Sequence, residues 1–350
     1  MIINGTNGND SLIGTAAIDT LSGLGGNDFL DGRGGADTYL FFRSSGQDTL
    51  YDSSNDISVD QAIFSGTGLT STNVIVTRLG TSDDLRISFG SGISDSVILK
   101  NQVDTLRPNL GVESITFSDG VTWNEDQLWN AYLTQGAASN DTLEGTNLNN
   151  IIRGGLGTDY LDGRGGADTY LFNRGDGQDT LYDNSNDVSI DQLVFSGTGL
   201  TSTNVIVTRL GTSDDLRISF GSGISDSVIL KNQVDTLRPN LGVERIRFSN
   251  GVTWNEDQLW NAYLTQGAAS NDTLEGTNLN NTIRGGLGTD YLNGRGGADT
   301  YLFNRGDGQD TLYDNSNDVS IDQLVFSGTG LTSTNVIVTR LGTSDDLRIS

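Results

Sequence analysis

Over residues 5–40 a large apolar side chain recurs every nine residues, at Leu12, Leu21, Leu30 and Tyr39, between stretches of glycine and polar residues. This predicts a series of very short extended stretches, each pointing one apolar residue inward. Residues 52–135 follow a different pattern. DQAIFSGTGL, TNVIVTRL, DLRISF and DSVILKNQ alternate apolar with polar positions and are rich in β-branched side chains, which predicts short strands. GTSDD at 80–84 predicts the turn joining two of them, and SITFSDGVTW at 114–123 a hairpin with an Asp119-Gly120 turn. Asn124, with Gln127 at the capping-box position, predicts a helix start. Leu128, Trp129, Tyr132 and Leu133 then fall on one helical face.

Both patterns repeat. GRGGADTYLF stands at 32–41, 163–172 and 294–303, and LGTSDDLRIS at 79–88, 210–219 and 341–350, each time 131 residues on. Residues 136–219 and 267–350 differ at two aligned positions only, Ile151 against Thr282 and Asp162 against Asn293, which suggests recent duplication. The chain holds two full units and about two thirds of a third, and it stops at Ser350 inside strand-like sequence, which reads as a fragment or an interrupted product.

Composition removes several function classes. The 350 residues contain no cysteine and no histidine, so no disulfide framework, thiolate zinc site, thiol nucleophile or histidine-based triad can be built. With 45 acidic and 20 basic residues the net charge is −25, which repels phosphate and disfavours nucleic acid as a partner. No apolar run approaches the ~18–20 residues of a membrane span, and MIINGTNGND has neither the basic region nor the apolar stretch of an N-terminal signal peptide. No constellation supports catalysis, so the chain is not expected to be an enzyme. Glycine, at 47 residues, is roughly twice its usual share, and its placement carries the rest of the reading.

Residues 5–40 divide into four words: GTNGNDSLI, GTAAIDTLS, GLGGNDFLD and GRGGADTYL. Each begins with glycine (Gly5, Gly14, Gly23, Gly32) and has aspartate at position six (Asp10, Asp19, Asp28, Asp37). A fifth word, RSSGQDTLY at 43–51, follows after a two-residue shift and supplies Asp48. Glycines at positions one, two and four permit positive φ and a tight turn. Nine residues make half a coil of a flattened solenoid, so words two apart stack, bringing together Asp10 with Asp28, Asp19 with Asp37 and Asp28 with Asp48. Carboxylates so placed repel one another. A hard divalent cation resolves the repulsion. Calcium suits a flexible all-oxygen cage of carboxylates and turn carbonyls better than magnesium, and the absence of histidine and cysteine argues against zinc or copper.

These words match G-G-x-G-x-D-x-U-x and so resemble the calcium-binding repeat of RTX (haemolysin-type) proteins. The resemblance implies an all-β fold, a parallel β-roll (nonapeptide solenoid) with Ca2+ between adjacent turns. Its implied ligands are turn carbonyls and the position-six aspartates: Asp10, Asp19, Asp28, Asp37 and Asp48; Asp141, Asp159, Asp168 and Asp179; Asp272, Asp290, Asp299 and Asp310. There are departures. Ala16, Ala17 and Ile18 replace the glycine-rich turn around Asp19, and the uncharged Asn150 and Asn281 imply weaker or absent sites. The segment 52–135 resembles the haemolysin-type calcium-binding-related domain.

The expected organisation is three RTX β-roll blocks, 1–51, 136–182 and 267–313, alternating with β-rich cap segments that end in a short helix, 52–135 and 183–266, and a truncated one, 314–350. Each cap is expected to cover the open end of its roll. The implied function is a secreted, extracellular bacterial module that folds on binding Ca2+, after export by the type I secretion machinery. The alternative is the accessory region of a larger secreted enzyme or toxin, or a surface adhesin, with the active part outside this chain. No cell-surface or glycan partner can be named from the residues.

Other candidates read as structural. Asp83, Asp84 and Glu113 fit turn and surface roles better than an acid–base pair. Trp123, Trp129 and Tyr132 fit packing better than sugar stacking. Arg174-Gly175-Asp176 and Arg305-Gly306-Asp307 spell an adhesion tripeptide, but they lie in the fifth word, where the first unit has Arg43-Ser44-Ser45. The sequons at Asn4 and Asn140 sit in the calcium turns, and the Lys-Asn-Gln stretches after DSVIL carry no identifiable chemistry.

Overall fold

Each nine-residue word builds one short strand, because its glycines bend the chain beside it. The computed structural model describes residues 1–350 apart from 55, 80–81, 91, 104–110, 137, 184–186, 212, 222, 235–241, 268, 315–317 and 343–345. The chain divides into two units, residues 1–172 with 182–191, and residues 173–181 with 192–350.

In the first unit the roll comprises β1 (Ile2–Asn4), β2 (Ser11–Ile13), β3 (Thr20–Ser22), β4 (Phe29–Asp31), β5 (Thr38–Phe42) and β6 (Gln47–Leu50). Alternate strands enter alternate sheets, all in parallel. Ile2 lies opposite Thr20 and Thr20 opposite Thr38 in one sheet; Ser11 lies opposite Phe29 and Phe29 opposite Thr49 in the other. The register is therefore two words long, and it lengthens at the fifth word by the two-residue shift seen in the sequence. Position-eight side chains fill the space between the sheets: Leu21, Leu30, Tyr39 and Leu50 are fully buried and Leu12 nearly so. Each buried leucine stabilises the roll by about 1.5–3 kcal/mol. Coils stack closely at the turns. Gly26 has φ 123°, and a Cβ there would lie 2.6 Å from the Gly8 carbonyl carbon.

The insert supplies β7 (Gln61–Ser65), β8 (Val74–Arg78), β9 (Leu85–Phe89), β10 (Ser96–Leu99), β11 (Ser114–Thr116), β12 (Thr122–Asn124) and α1 (Glu125–Thr134). It covers the open end of the roll by prolonging both sheets. β7 adds in parallel to β5, with Thr38 opposite Gln61, and β10 adds to β6, with Gln47 opposite Ser96. An edge strand carries unpaired backbone groups that a further strand satisfies, and 61–65 and 96–99 have the required alternation. β11 adds to β7 still in parallel, and the sheets become antiparallel only beyond β11 and β10. Their orders are β1-β3-β5-β7-β11-β12 and β2-β4-β6-β10-β9-β8. Phe64 stacks between Phe41 and Phe117 at 5.3 and 6.0 Å and meets Phe89 of the other sheet edge-on at 5.3 Å, which joins the two sheets at this end.

β8 and β9 form the expected hairpin, closed by Leu79 N–H to Asp84 O at 3.0 Å; Gly80 and Thr81 of its turn lie outside the described residues. The β11–β12 link is wider than a two-residue Asp-Gly turn. Phe117 N–H donates to Val121 O and Gly120 N–H to Phe117 O, and Gly120 alone has positive φ, 81°. The helix starts as the sequence predicts, with Asn124 and Gln127 exchanging side-chain-to-backbone bonds of 3.0 Å. It buries Leu128, Trp129, Tyr132 and Leu133. Its last turn meets the next roll: Arg153 N–H donates to Leu133 O at 2.8 Å, and Ile151 N–H to Asn130 Oδ1 at 2.8 Å. In that roll Thr142–Glu144 pairs in parallel with Tyr160–Asp162, and Ile151–Ile152 with Thr169 and Tyr170.

The second unit has the same order. Gln178–Leu181 is prolonged by Ser227–Leu230, and Gln192–Ser196 by Arg245–Arg247, before the antiparallel strands. α2 (Glu256–Thr265) repeats the capping box. A further roll follows in parallel, Thr273–Glu275 with Tyr291–Asn293 and Thr282–Ile283 with Thr300–Asn304. Among the described residues no helix is long and apolar enough to cross a membrane.

Candidate metal centre

Two rows of carboxylates run along the first roll. In one, Asp10 N–H donates to Asp28 Oδ1 at 2.8 Å and Asp28 N–H to Asp48 Oδ1 at 3.0 Å. In the other, Asp19 N–H donates to Asp37 Oδ1 at 2.8 Å, Asp37 N–H to Asp60 Oδ1 at 2.6 Å, and Asp60 N–H to Glu113 Oε2 at 2.7 Å. Each step ties the backbone of one coil to the carboxylate of the next. The later rolls contain the same steps: Asp141 to Asp159 and Asn150 to Asp168, then Asp272 to Asp290, Asn281 to Asp299, and Asp290 to Asp310, at 2.7–3.1 Å. Asp179 lies buried on its strand, opposite Val228.

The second carboxylate oxygen depends on position two of the word. Where that residue is threonine, it takes the oxygen: Thr6 donates its N–H and hydroxyl to Asp10 Oδ2 at 2.5 and 2.8 Å, and Thr15 does the same to Asp19 at 2.6 and 2.8 Å. In words three and four position two is Leu24 and Arg33, both in the left-handed region at φ 70° and 71°. There the Oδ2 atoms of Asp28 and Asp37 are buried without a hydrogen-bond partner, as are those of Asp168, Asp290 and Asp299. Asn150 and Asn281 copy the threonine type. Their Oδ1 takes the N–H of Thr146 at 2.7 Å and of Thr277 at 2.6 Å, which keeps the turn without the charge.

Carbonyls lie beside the threonine-bound carboxylates. A Cβ on Gly5 would lie 2.6 Å from Gly23 O and 2.8 Å from Asp10 Oδ2, and one on Gly14 would collide with Gly32 O and reach Asp19 Oδ2 at 3.0 Å. The position-one glycine thus leaves a space edged by a carboxylate and by the carbonyl of the coil two words on. Burial holds Asp37 and Asp48 up at about 6, Asp168 at about 8 and Asp299 at about 6, and raises Asp28 and Asp310. Asp19 is held down at about 2 by the Met1 ammonium and then by Thr15. Buried carboxylate oxygens without partners, in a chain with no histidine or cysteine to offer nitrogen or sulfur, fit a hard cation such as calcium.

Sequence reasoning missed Asp52, Asp56, Asp60 and Glu113. Asp52 Oδ2 accepts the Tyr39 hydroxyl at 3.0 Å, and Asp56 Oδ2 accepts Gly35 N–H at 3.2 Å. The available signal was Asp60 standing two residues before the buried Ala62, the interval between positions six and eight of a word. The surface role expected for Glu113 is corrected, because it extends a carboxylate row and burial raises it to about 7. Asp83 pairs with Arg78 at 3.2 Å, and Asp84 with Lys100 and with Asn101 N–H, so both hold the hairpin. The Lys-Asn-Gln stretch is therefore a fastening; Gln102 also bonds both N–H and C=O of Val112 at 3.0 Å. The adhesion-like tripeptides do not offer their aspartates to solvent. Asp176 and Asp307 are buried and take the N–H of Asn173 at 2.8 Å and of Asn304 at 2.7 Å.

The RTX calcium-binding nonapeptide repeat (4 copies) matches residues 4–39, 135–170 and 266–301. The haemolysin-type calcium binding protein related domain matches residues 84–127 and 215–258. No curated protein matches the chain. Among solved structures, the extracellular lipase LipA from Serratia marcescens is similar at 20% identity and a TM-score of 0.23, over 63% of this chain and 38% of the lipase. The chain thus spans about two fifths of that protein's length, and a likeness so low bears no weight for activity. The matched families are repeat modules without a catalytic part, and together they take in more than half of the chain. With its all-β, parallel-rolled architecture and its stacked aspartates, the chain belongs to the RTX, haemolysin-type calcium-binding repeat proteins, and its ion is Ca2+.

Proposed function

We propose that the chain is a folding module of a secreted bacterial protein, open where calcium is scarce and closed by calcium outside the cell. The observation that carries this reading is the set of buried Oδ2 atoms without partners on Asp28, Asp37, Asp168, Asp290 and Asp299, in a chain of net charge −25. Burying a carboxylate without compensation is costly. The compensation must be a proton or a cation, and near neutral pH a cation serves more of these groups. The proposed ligands are the thirteen position-six aspartates, with turn carbonyls beside them. Bound calcium supplies double positive charge and tolerance of irregular oxygen coordination. Its binding energy then becomes folding energy.

Such a module suits export in the unfolded state through a type I machinery from a low-calcium cytoplasm. Extracellular calcium modules bind with Kd on the order of 10⁻⁴–10⁻³ M, which matches a switch between these compartments. The test is far-UV circular dichroism of the calcium-stripped chain titrated to about 10 mM calcium, well above that range, with magnesium as control. A cooperative gain of β signal with calcium alone is the expected result. A folded spectrum indifferent to calcium would overturn the proposal.

A further inference from the structure

The fourth word of each block does not meet another nine-residue word on its far side. It meets a segment spaced Asp-x3-Asp-x3-Asp: Asp52, Asp56 and Asp60 in the first unit. All three carboxylates reach back to that word, to Tyr39 Oη, Gly35 N–H and Asp37 N–H. Asp37, Asp52 and Asp60 each place an oxygen within 4.8 Å of the others, and their exposures are 1%, 0% and 2%. The trio recurs as Asp168, Asp183 and Asp191, and as Asp299, Asp314 and Asp322. The described ion pairs include none to Asp37, Asp52 or Asp60.

Two observations point to a ligand beyond the acidic cluster itself. The first is the Asp37 oxygen. Asp37 Oδ1 is occupied by Asp19 N–H, whereas Oδ2 is buried and has no partner, and the same holds for Oδ2 of Asp168 and Asp299. The second is its direction. A Cβ on Gly32 would collide with both Asp37 Oδ2 and Tyr39 Oη, so the two atoms share one corner; Gly163 and Gly294 repeat this with Asp168 and Tyr170, and with Asp299 and Tyr301. The Tyr39 hydroxyl has one proton and gives it to Asp52 Oδ2. It therefore leaves Asp37 Oδ2 aimed into the trio with nothing to bond.

We propose that each Asp37–Asp52–Asp60 trio holds one further calcium ion, at a site built half from the fourth word and half from the segment after the roll. The site rests on calcium being the ion of the repeats, but its ligands Asp52 and Asp60 lie outside the nonapeptide words. Asp52 takes the hydroxyls of Tyr39 and Ser54, and the three buried carboxylates offer an ion only oxygen, which selects a hard divalent cation. Burial pushes Asp60 up to about 8, the cost that such an ion relieves. The ion would fasten the insert onto the last coil.

The test counts calcium bound to the full chain by equilibrium dialysis, comparing it with the triple variant Asp52→Asn, Asp183→Asn, Asp314→Asn. Asparagine keeps an acceptor for each tyrosine hydroxyl. The variant is expected to bind three ions fewer, one for each trio, and to retain the others. Equal counts overturn the proposal, whereas an unsubstituted chain that binds no calcium overturns the reading on which it rests. Should the variant stay unfolded at high calcium, terbium bound to the Tyr39→Phe, Tyr170→Phe, Tyr301→Phe chain decides the matter. An ion at the trio lies beside these rings, so the share of tyrosine-sensitised emission that the three trios contribute is lost at an unchanged terbium count, while the seven other tyrosines still sensitise the repeat sites. Undiminished emission overturns the proposal.

Discussion

The Tyr39 hydroxyl donates to Asp52 Oδ2 across 3.0 Å while it accepts Gly32 N–H at 2.9 Å, so one side chain closes its own word and holds the segment that follows the roll. The pair recurs as Tyr170 with Asp183 at 2.9 Å and Tyr301 with Asp314 at 3.2 Å. Leucine fills position eight of the neighbouring words, where no such bond is needed.

Replacing Tyr39 by phenylalanine strands a buried N–H and a buried carboxylate oxygen. We expect a loss of about 1–3 kcal/mol, read as a fall of roughly ten-fold or more in hydrogen-exchange protection of residues 32–52 in excess calcium. Tyr51→Phe serves as the control. Equal protection in the two variants would show that the hydroxyl carries no stability.

Asn150 and Asp19 hold the same kind of turn and differ in charge. The double variant Asn150→Asp, Asn281→Asp should add calcium sites and move the folding midpoint to lower calcium. A midpoint that stays in place or rises would mean that these turns take no ion.

Burial raises Asp37 and Asp48 to about 6, Glu113 to about 7 and Asp60 to about 8. In the unfolded chain such groups titrate near pH ~4. Between about pH 4 and 8 the folded form therefore holds more protons than the unfolded form, and calcium-free stability falls as pH rises through that window. In EGTA the β signal should be larger at pH 5 than at pH 8. The calcium midpoint should move the other way, higher at pH 5, because protons must leave before the ion binds. Spectra without calcium that match at the two pH values would contradict this.

Gly26 and Gly8 both stand at position four of a word, yet they differ in what they meet. Gly26→Ala forces a Cβ against the Gly8 backbone at a φ of 123°, and should cost about 2 kcal/mol or more. At Gly8 the nearest atom is Thr6 Oγ1 at 3.6 Å, so Gly8→Ala should stay within about 0.5 kcal/mol. Urea unfolding of the two variants in saturating calcium compares them directly.

The nine-residue period was legible because every coil spends the same residues on the same tasks: glycine for the turn, aspartate for the step between coils, leucine for the interior. Asn124 and Gln127 were legible because a capping box is local. The partners of β7 and β10 were not, since 61–65 and 96–99 declare themselves as strands without naming the edge they join. Asp60 was hidden by its interval. It stands twenty-three residues after Asp37 where the words had prepared an interval of eighteen. Glu113 was hidden further, fifty-three residues beyond the amide it accepts.

The contacts at Leu133 and Asn130 recur at the second helix, where Arg284 N–H meets Leu264 O and Thr282 N–H meets Asn261 Oδ1, both at 2.9 Å. The middle copy of the 131-residue stretch thus carries both halves of the joint, the receiving strand at one end and the helix foot at the other. An in-frame gain or loss of one whole copy creates no surface that has not already been fitted. For a gene of this kind recombination between copies is structurally silent at the seams, and chain length is free to drift in whole units.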